Sequence, residues 1–398
     1  MTQTDFDSPR SPRAFLTAGI LGIVLCGLST SVLAAIGATV ERELRIPHAG
    51  LGLIQSGFFI GNGSASALVL LVPWRHTPRA LALWAFACLT AGNLLSSIPL
   101  FACLLGGRIL MGWATSWLFL AVSELVVHGF PQRQNALLNL THGAMAGGSA
   151  LGVALTSPLI ALLHRWPRVT LLLSVPAGLA FVLALSLRLH VAPSPVEPHG
   201  LPDALTLLRR GIMLVAAPFM FMYIVAEAAV VVFTPVLAQT KWGAGQAAAA
   251  GYSTAFIVGI VAGRLVATFS GKAQARRGQL VFLTLGGCTA ALAALALGLS
   301  PLWTGALLVV AGALAGPTAP MSVAYAVQHL SGAKRQVLIV ANLAMCSGGA
   351  LGMAGVGLLS DRFGLMAGLA TALVVFMATA IPVMLFRPPA AMQSPARG

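Results

Sequence analysis

The sequence predicts an all-α membrane protein whose twelve transmembrane helices form two six-helix bundles. The first observation is composition: the 398 residues are 58% hydrophobic and 8% charged, whereas a soluble domain carries about 25% charged residues. The mean hydropathy is +0.91. The second is that apolar segments of helix length fill almost the whole chain. The third is one long polar connection that divides these segments into six and six.

The predicted spans are apolar segments of about 20 residues or more, separated by short basic or Pro/Gly turns. They fall at residues 14–40, 49–73, 80–99, 101–129, 136–163, 169–188, 211–239, 247–271, 279–299, 302–330, 337–360 and 365–386. The connection Leu189–Arg210 contains HVAPSPVEPHGLPD, and such Pro-rich sequence is typical of a linker. We therefore predict an N-terminal bundle at 1–188, a cytoplasmic linker at 189–210 and a C-terminal bundle at 211–398.

The two halves share a short repeat. Ala144–Gly152 reads AMAGGSALG and Ala344–Gly352 reads AMCSGGALG, which match at six of nine positions. Parallel repeats of six spans are one standard construction of transporters. The glycines recur at a spacing of four, which lets helix backbones approach closely. We predict packing roles for four of them: Gly148, Gly152, Gly348 and Gly352.

The net charge of +14 follows the positive-inside rule. With the N-terminus inside, fifteen of the 23 Lys and Arg residues fall on the inner side, six on the outer side, and Arg108 and Arg264 within spans. This distribution explains the basic charge without nucleic acid. It predicts a multi-pass protein of the cytoplasmic (inner) membrane with both termini cytoplasmic and the lipid bilayer as its surroundings. We expect a monomer.

Two of the nine acidic residues, Glu124 and Glu227, fall inside predicted spans. A charge in hydrocarbon costs about 3 kcal/mol even on insertion scales, and intramembrane acids often relay protons. Glu227 lies mid-span, one turn after Tyr223 and two turns before Pro235. We predict Glu227 and Glu124 as proton-coupling residues, Glu227 first. The alternative for Glu227 is a structural hydrogen bond from a permanently neutral side chain.

Arg108 in the fourth span has two interpretations: a conformational or proton-relay residue, or an anchor for an anionic substrate. On a helical wheel it shares a face with Gly112 and Thr115. Another face of the span carries aromatic residues and the acid: Trp113, Trp117 and Glu124. At that depth Glu124 can form a buried contact with His142 of the fifth span. The alternative role for these residues is packing or a cytoplasmic gate.

In the tenth span, Pro317 and Pro320 predict a hinge or kink because proline cannot donate a backbone hydrogen bond. The full set of predicted substrate-pocket or conformational residues is Arg108, Thr115, Trp113, Trp117, His142, Tyr223, Arg264 and Tyr325. The predicted packing or hinge residues are Gly112, Gly148, Gly152, Gly348, Gly352, Pro317 and Pro320.

The sequence lacks the residue patterns that hydrolytic or metal-dependent enzymes require. Paired carboxylates, a metal-ligand cluster and a Ser/His/Asp arrangement at shared depth are missing. The five cysteines lie in different apolar segments without metal spacing. We therefore expect no metal, no cofactor and no enzyme activity.

With these residues in place, the chain resembles the major facilitator superfamily. The fourth span has the R-x-x-x-G signature as Arg108 and Gly112, and the eighth has Gly259, Gly263 and Arg264. Gly143 and Gly152 match the first part of the glycine motif of family antiporters. The chain departs from the family at three places: VPWRHTPR (Val72–Arg79) and FSGKAQARR (Phe269–Arg277) lack the usual acid, and Thr156-Ser157-Pro158 replaces Gly-Pro.

The resemblance implies transport by alternating access between two bundles, coupled to protons. The glycine motif favours antiport and export of a small organic molecule, either drug-like or a metabolite such as a siderophore. The alternative is proton-coupled uptake of a small organic anion, which Arg108 and Arg264 favour. A membrane sensor or membrane-embedded enzyme is the remaining class. In the family, the acid that both loops of this chain lack belongs to a salt-bridge latch that stabilises the outward-open state.

Overall fold

The computed structural model describes residues 11–71, 77–130, 134–186, 206–209, 211–269, 276–330 and 334–386. These segments are almost entirely α-helical, so the predicted all-α class is confirmed. The predicted linker at 189–210 and the two loops that lack the family acid lie mostly outside the described residues.

The chain folds into two compact units, one of residues 1–45 and 57–198 and the other of 46–56 and 199–398. The helices of the N-terminal half are α1 (Ser11–Leu44), α2 (His48–Leu71), α3 (Pro78–Ser96), α4 (Phe101–Gly129), α5 (Gln134–Leu163) and α6 (Trp166–Ser186). The first turns of α2, within Ile46–Ser56, belong to the second unit.

The C-terminal half repeats this order with two interrupted spans. Its helices are α7 (Gly211–Lys241), α8 (Gln246–Phe269), α9 (Arg277–Ala296), α10 (Pro301–Ala315), α11 (Thr318–His329), α12 (Lys334–Ser347), α13 (Met353–Phe363) and α14 (Leu365–Leu385). A π-helical turn, Gly348–Gly352, joins α12 to α13.

Eleven helical segments in the described part of the chain are long and apolar enough to cross a membrane. Two of them, Pro301–His329 and Gln336–Phe363, contain the interrupted spans. The remaining predicted span is α2, which has 24 residues and therefore reaches about 36 Å at 1.5 Å per residue. Large apolar side chains such as Trp84 and Leu302 are exposed, as expected for helices that face lipid.

Glycines bring α1 against α5, and α7 against the π-helical turn that joins α12 to α13. A Cβ on Gly148 would overlap the carbonyl oxygen of Val24, and a Cβ on Gly348 would overlap that of Phe221. Contacts this close explain the repeated glycine spacing. The second glycine of each repeat is also closely packed, Gly152 against the Leu28 carbonyl and Gly352 against the Val225 side chain.

Proline within α7 links this helix to α8. Pro235 has no N–H, so the carbonyl of Val231, four residues earlier, lacks its usual helical donor. The Ser253 hydroxyl of α8, which is fully buried, donates to that carbonyl at 2.6 Å. A side chain of the neighbouring helix thus replaces the missing backbone bond.

Candidate functional site

Glu227 lies in the middle of α7, half-buried, with Tyr223 one turn earlier on the same face. The Tyr223 side chain is 2% exposed. Among the described residues, neither Glu227 Oε2 nor Tyr223 Oη has a hydrogen-bond partner of normal geometry. Such buried polar atoms are uncommon, because most pair with protein or water.

Arg264 of α8 is held by the break in the tenth span. Its Nε donates to the carbonyl oxygen of Gly316 at 3.1 Å. That carbonyl is free to accept because Pro320, four residues later, has no N–H. The sequence of the break, Gly316-Pro317 between α10 and α11, thus provides the anchor for a cation on another helix.

This anchoring places the Arg264 guanidinium close to the polar groups of α7. It lies near enough to interact electrostatically with both the Tyr223 hydroxyl and the Glu227 carboxylate. The structure therefore brings together three residues that the sequence places on two helices. The sequence identified each residue separately, but it contained no sign that Arg264 faces Glu227.

A small cavity adjoins Glu227 inside the second unit, with about 20 Å³ available to water, room for roughly one molecule. Besides Tyr223 and Glu227, its lining includes Thr284 and Cys288 of α9 and Phe376 of α14. Most of the remaining lining residues are apolar. The Thr284 hydroxyl is buried and has no partner among the described residues.

Arg108 occupies the interior of the first unit and is 4% exposed. Its Nη1 donates to the backbone carbonyl of Thr30 in α1, and its guanidinium carbon lies 5.5 Å from the centre of the Phe58 ring. Gly112, one turn later, packs against the Phe58 carbonyl of α2. Arg108 therefore connects three helices of its bundle.

The repeat relates one residue of each intramembrane site. Thr30 lies six residues after Val24, the partner of Gly148, and Glu227 lies six residues after Phe221, the partner of Gly348. The α1 position whose carbonyl binds Arg108 therefore corresponds to the α7 position of Glu227. In the first bundle the charge near this position comes from Arg108 of α4, whereas in the second the residue at this position is itself the acid.

The aromatic face of α4 is engaged in contacts within the first unit. Trp113 Nε1 donates to Ser64 Oγ at 2.9 Å, and the Trp113 and Trp117 rings lie 5.0 Å apart. Thr115 Oγ1 donates to the Met111 carbonyl of its own helix at 2.9 Å. These contacts favour a packing role for the aromatic face of α4 over a role in binding substrate.

Two further predicted residues have ring contacts of their own. The His142 ring lies 5.0 Å from that of Phe119, while the contact between His142 and Glu124 stays a prediction. The Tyr325 ring lies 4.5 Å from that of His329. Neither His142 nor Tyr325 is among the residues that line the cavity at Glu227. Within the described segments, no group of His, Cys, Asp and Glu could hold a metal ion.

Comparison with known proteins agrees with this architecture. Residues 19–353 match the family model of the Major Facilitator Superfamily, and the chain belongs to this superfamily of membrane transporters. No curated protein matches the sequence.

Two solved structures share the fold at low sequence identity. A bacterial homolog of the human lysosomal transporter Spinster, in an inward-facing and unoccupied conformation, is 14% identical with a TM-score of 0.72, and the match covers 95% of this chain and 96% of that one. A D-xylose-proton symporter is 14% identical with a TM-score of 0.75, and the match covers 96% and 99%. The protein is thus a major facilitator transporter and not an enzyme.

Proposed function

We propose that this transporter is coupled to protons and exports a small organic molecule across the cytoplasmic membrane, with both termini inside. Glu227 is the group that binds and releases the coupled proton. The observation that supports this role is a carboxyl oxygen, Glu227 Oε2, that is buried inside a transmembrane helix and has no hydrogen-bond partner of normal geometry among the described residues. A carboxyl group in that position is suited to gain and lose a proton as its surroundings change.

Export by antiport rests on the partial antiporter motif, Gly143 and Gly152. The substrate we propose is a drug-like compound or a metabolite such as a siderophore. Anion uptake, the alternative, would use Arg108 or Arg264 as an anchor. Because Arg264 lies beside Glu227 and Arg108 binds the Thr30 carbonyl, each cation has a role within its own bundle, which favours export.

The experiment uses proteoliposomes of known orientation. In a variant whose five native cysteines are replaced, a cysteine at Thr240 should react with an external impermeant thiol reagent, and one at Gly278 should react only after permeabilisation. Both positions are exposed in the structure. Labelling in the opposite pattern would overturn the proposed orientation.

Candidate drug-like compounds, siderophores and small carboxylates are first screened for those that raise the unfolding temperature of the purified protein. A stabilising solute is then loaded into right-side-out vesicles that contain a pH-sensitive dye, and the outside is acidified. Antiport predicts faster solute efflux together with internal acidification beyond that of protein-free vesicles. Accumulation of externally added solute under the same gradient would instead establish uptake by symport, and solute flux without proton movement would exclude coupling.

A further inference from the structure

The first turn of α2 is capped by a carboxylate from α13. The backbone N–H of His48 donates to Asp361 Oδ1 at 2.8 Å, and that of Ala49 donates to Asp361 Oδ2 at 2.9 Å. The first N–H groups of a helix have no partner within that helix. The residue in the N-cap position is Pro47, whose carbonyl accepts the first helical bonds, and proline has no side-chain oxygen that could cap α2. Asp361 supplies this cap from another helix.

Two glycines bring the backbones of α2 and α13 close together. A Cβ on Gly357 of α13 would overlap the His48 carbonyl, and a Cβ on Gly52 of α2 would overlap the Met353 carbonyl. The His48 ring also lies 6.5 Å from the Phe233 ring of α7 in an edge-to-face arrangement. The first turns of α2 are therefore held by close backbone packing and a ring contact as well as by the carboxylate.

The remainder of α2 belongs to the first unit. The division between the units falls between Ser56 and Gly57, and Gly61 packs against the Ile109 carbonyl of α4. The helix is nevertheless continuous over His48–Leu71. Any motion that carries α2 along with the first unit therefore breaks the contacts that its first turns make with α13.

The chemistry of the Asp361 contact suits a bond that forms and breaks reversibly. An acid in the last turn of a helix is opposed by the dipole of its own helix, whereas an acid at a helix N-terminus is stabilised. The position of Asp361 at the end of α13 is therefore favourable only while α2 lies beside it. Because Asp361 is exposed, water can replace both partners when the contact opens, so no buried polar group is left without a hydrogen bond.

We propose that Asp361 and the N–H groups of His48 and Ala49 form an outer latch of the transporter. Both termini are cytoplasmic in the proposed orientation, on which this placement rests, so the start of α2 and the end of α13 lie at the outer face. While the latch is formed, α2 stays on α13 and the outer side is closed. Release of solute to the outside requires α2 to leave α13. Asp361 is thus a positioning residue for the transport cycle.

Cysteine labelling of the full-length protein in proteoliposomes of known orientation tests the latch without a solute. In the variant without the native cysteines, Ser56→Cys places a thiol of similar shape at a fully buried position, seven residues after Ala49 and on the same face of α2. Asp361→Asn keeps the shape of the side chain but removes its charge. It should raise the rate at which Ser56→Cys reacts with an external impermeant thiol reagent by about 2- to 30-fold, the usual effect of losing a helix cap.

A second variant and a matched control accompany this measurement. Asp361→Ser, which offers one neutral oxygen, should also raise the rate and serves if Asp361→Asn does not fold. Glu43→Gln is the control, because Glu43 is an exposed acid of the proposed outer face whose Oε2 accepts from Trp166 Nε1 at 2.7 Å. Both Glu43 and Trp166 lie in the first unit, so this change should leave the rate at Ser56→Cys unaltered.

A cysteine at Ala49 separates release of the whole helix face from fraying of the first turn. Release raises the reaction rate at both Ala49→Cys and Ser56→Cys, whereas fraying raises it at Ala49→Cys alone. The latch is overturned by fraying alone, by an unchanged rate at Ser56→Cys in the Asp361 variants, or by an equal rise in Glu43→Gln. Labelling that occurs only after permeabilisation would overturn the proposed orientation instead, and a rise in the Asp361 variants under that condition would still show that Asp361 holds α2.

Discussion

At the scale of single residues, Gly148 shows how one missing side chain sets the distance between two helices. Its position in α5 faces the Val24 carbonyl of α1 so closely that a Cβ would overlap it, whereas the adjacent Gly147 has no atom within 4 Å of such a Cβ. The two glycines are neighbours on one helix but differ completely in their surroundings.

Gly148→Ala should therefore destabilise the protein by about 1 to 3 kcal/mol, because α1 and α5 must move apart to accept the methyl group. Gly147→Ala is the control, and it should leave stability unchanged or raise it slightly, since alanine favours the helix. The midpoint of unfolding in detergent measures both effects. Equal midpoints for the two variants would show that the α1–α5 contact is looser than the structure indicates.

Several residues of the candidate site could be predicted from sequence because a charge is conspicuous in an apolar helix. Glu227 and Arg264 stand out for this reason. Their proximity could not be predicted, since it depends on the packing of α7 against α8 and on a carbonyl freed in the tenth span. Thr284 could not be recognised as a site residue from the sequence, because threonine is common in transmembrane helices and its hydroxyl usually donates to a carbonyl of its own helix.

At the scale of helices, prolines create acceptors that neighbouring helices use. Pro235 frees the Val231 carbonyl, to which Ser253 donates, and Pro320 frees the Gly316 carbonyl, to which Arg264 donates. Both donors lie on α8. This helix is therefore fixed to two irregular spans by polar contacts as well as by packing.

A double-mutant cycle tests this use of proline. Ser253→Ala alone should cost about 1 to 3 kcal/mol, because the Val231 carbonyl then remains buried without a donor. In a Pro235→Ala background the residue-235 N–H can bond that carbonyl, so Ser253→Ala should cost much less. Unfolding midpoints of the parent, both single variants and the double variant give the coupling energy. An additive result would mean that Ser253 stabilises α7 by some other contact.

Most helices could be predicted from apolar length, since the membrane requires about 20 such residues per span. The sequence indicated only one of the two interrupted spans. Pro317 indicated the break between α10 and α11, because proline ends hydrogen bonding locally. The π-helical turn at Gly348–Gly352 has no comparable signal in the sequence, and the glycines at its two ends pack against α7.

At the scale of the whole molecule, the repeat gives the two bundles one equivalent position near a buried charge, on α1 in one bundle and on α7 in the other. In the first, Arg108 binds the Thr30 carbonyl, and in the second, the equivalent position is Glu227 beside Arg264. We expect the first site to hold its bundle together and the second to exchange protons. The proposed coupling depends on this difference between the two positions.

The most direct test of proton coupling compares two modes of transport in Glu227→Gln, with a radiolabelled solute selected by the stabilisation screen. Glutamine resembles the protonated acid in size and hydrogen bonding but cannot release a proton. The variant should therefore exchange labelled for unlabelled solute at near the parent rate, while it loses accumulation driven by a pH gradient alone. Glu227→Asp, the matched control, should keep partial coupling with a shifted pH optimum. If Glu227→Gln accumulates solute under a pH gradient as well as the parent does, the coupled proton binds elsewhere, and the central claim is wrong.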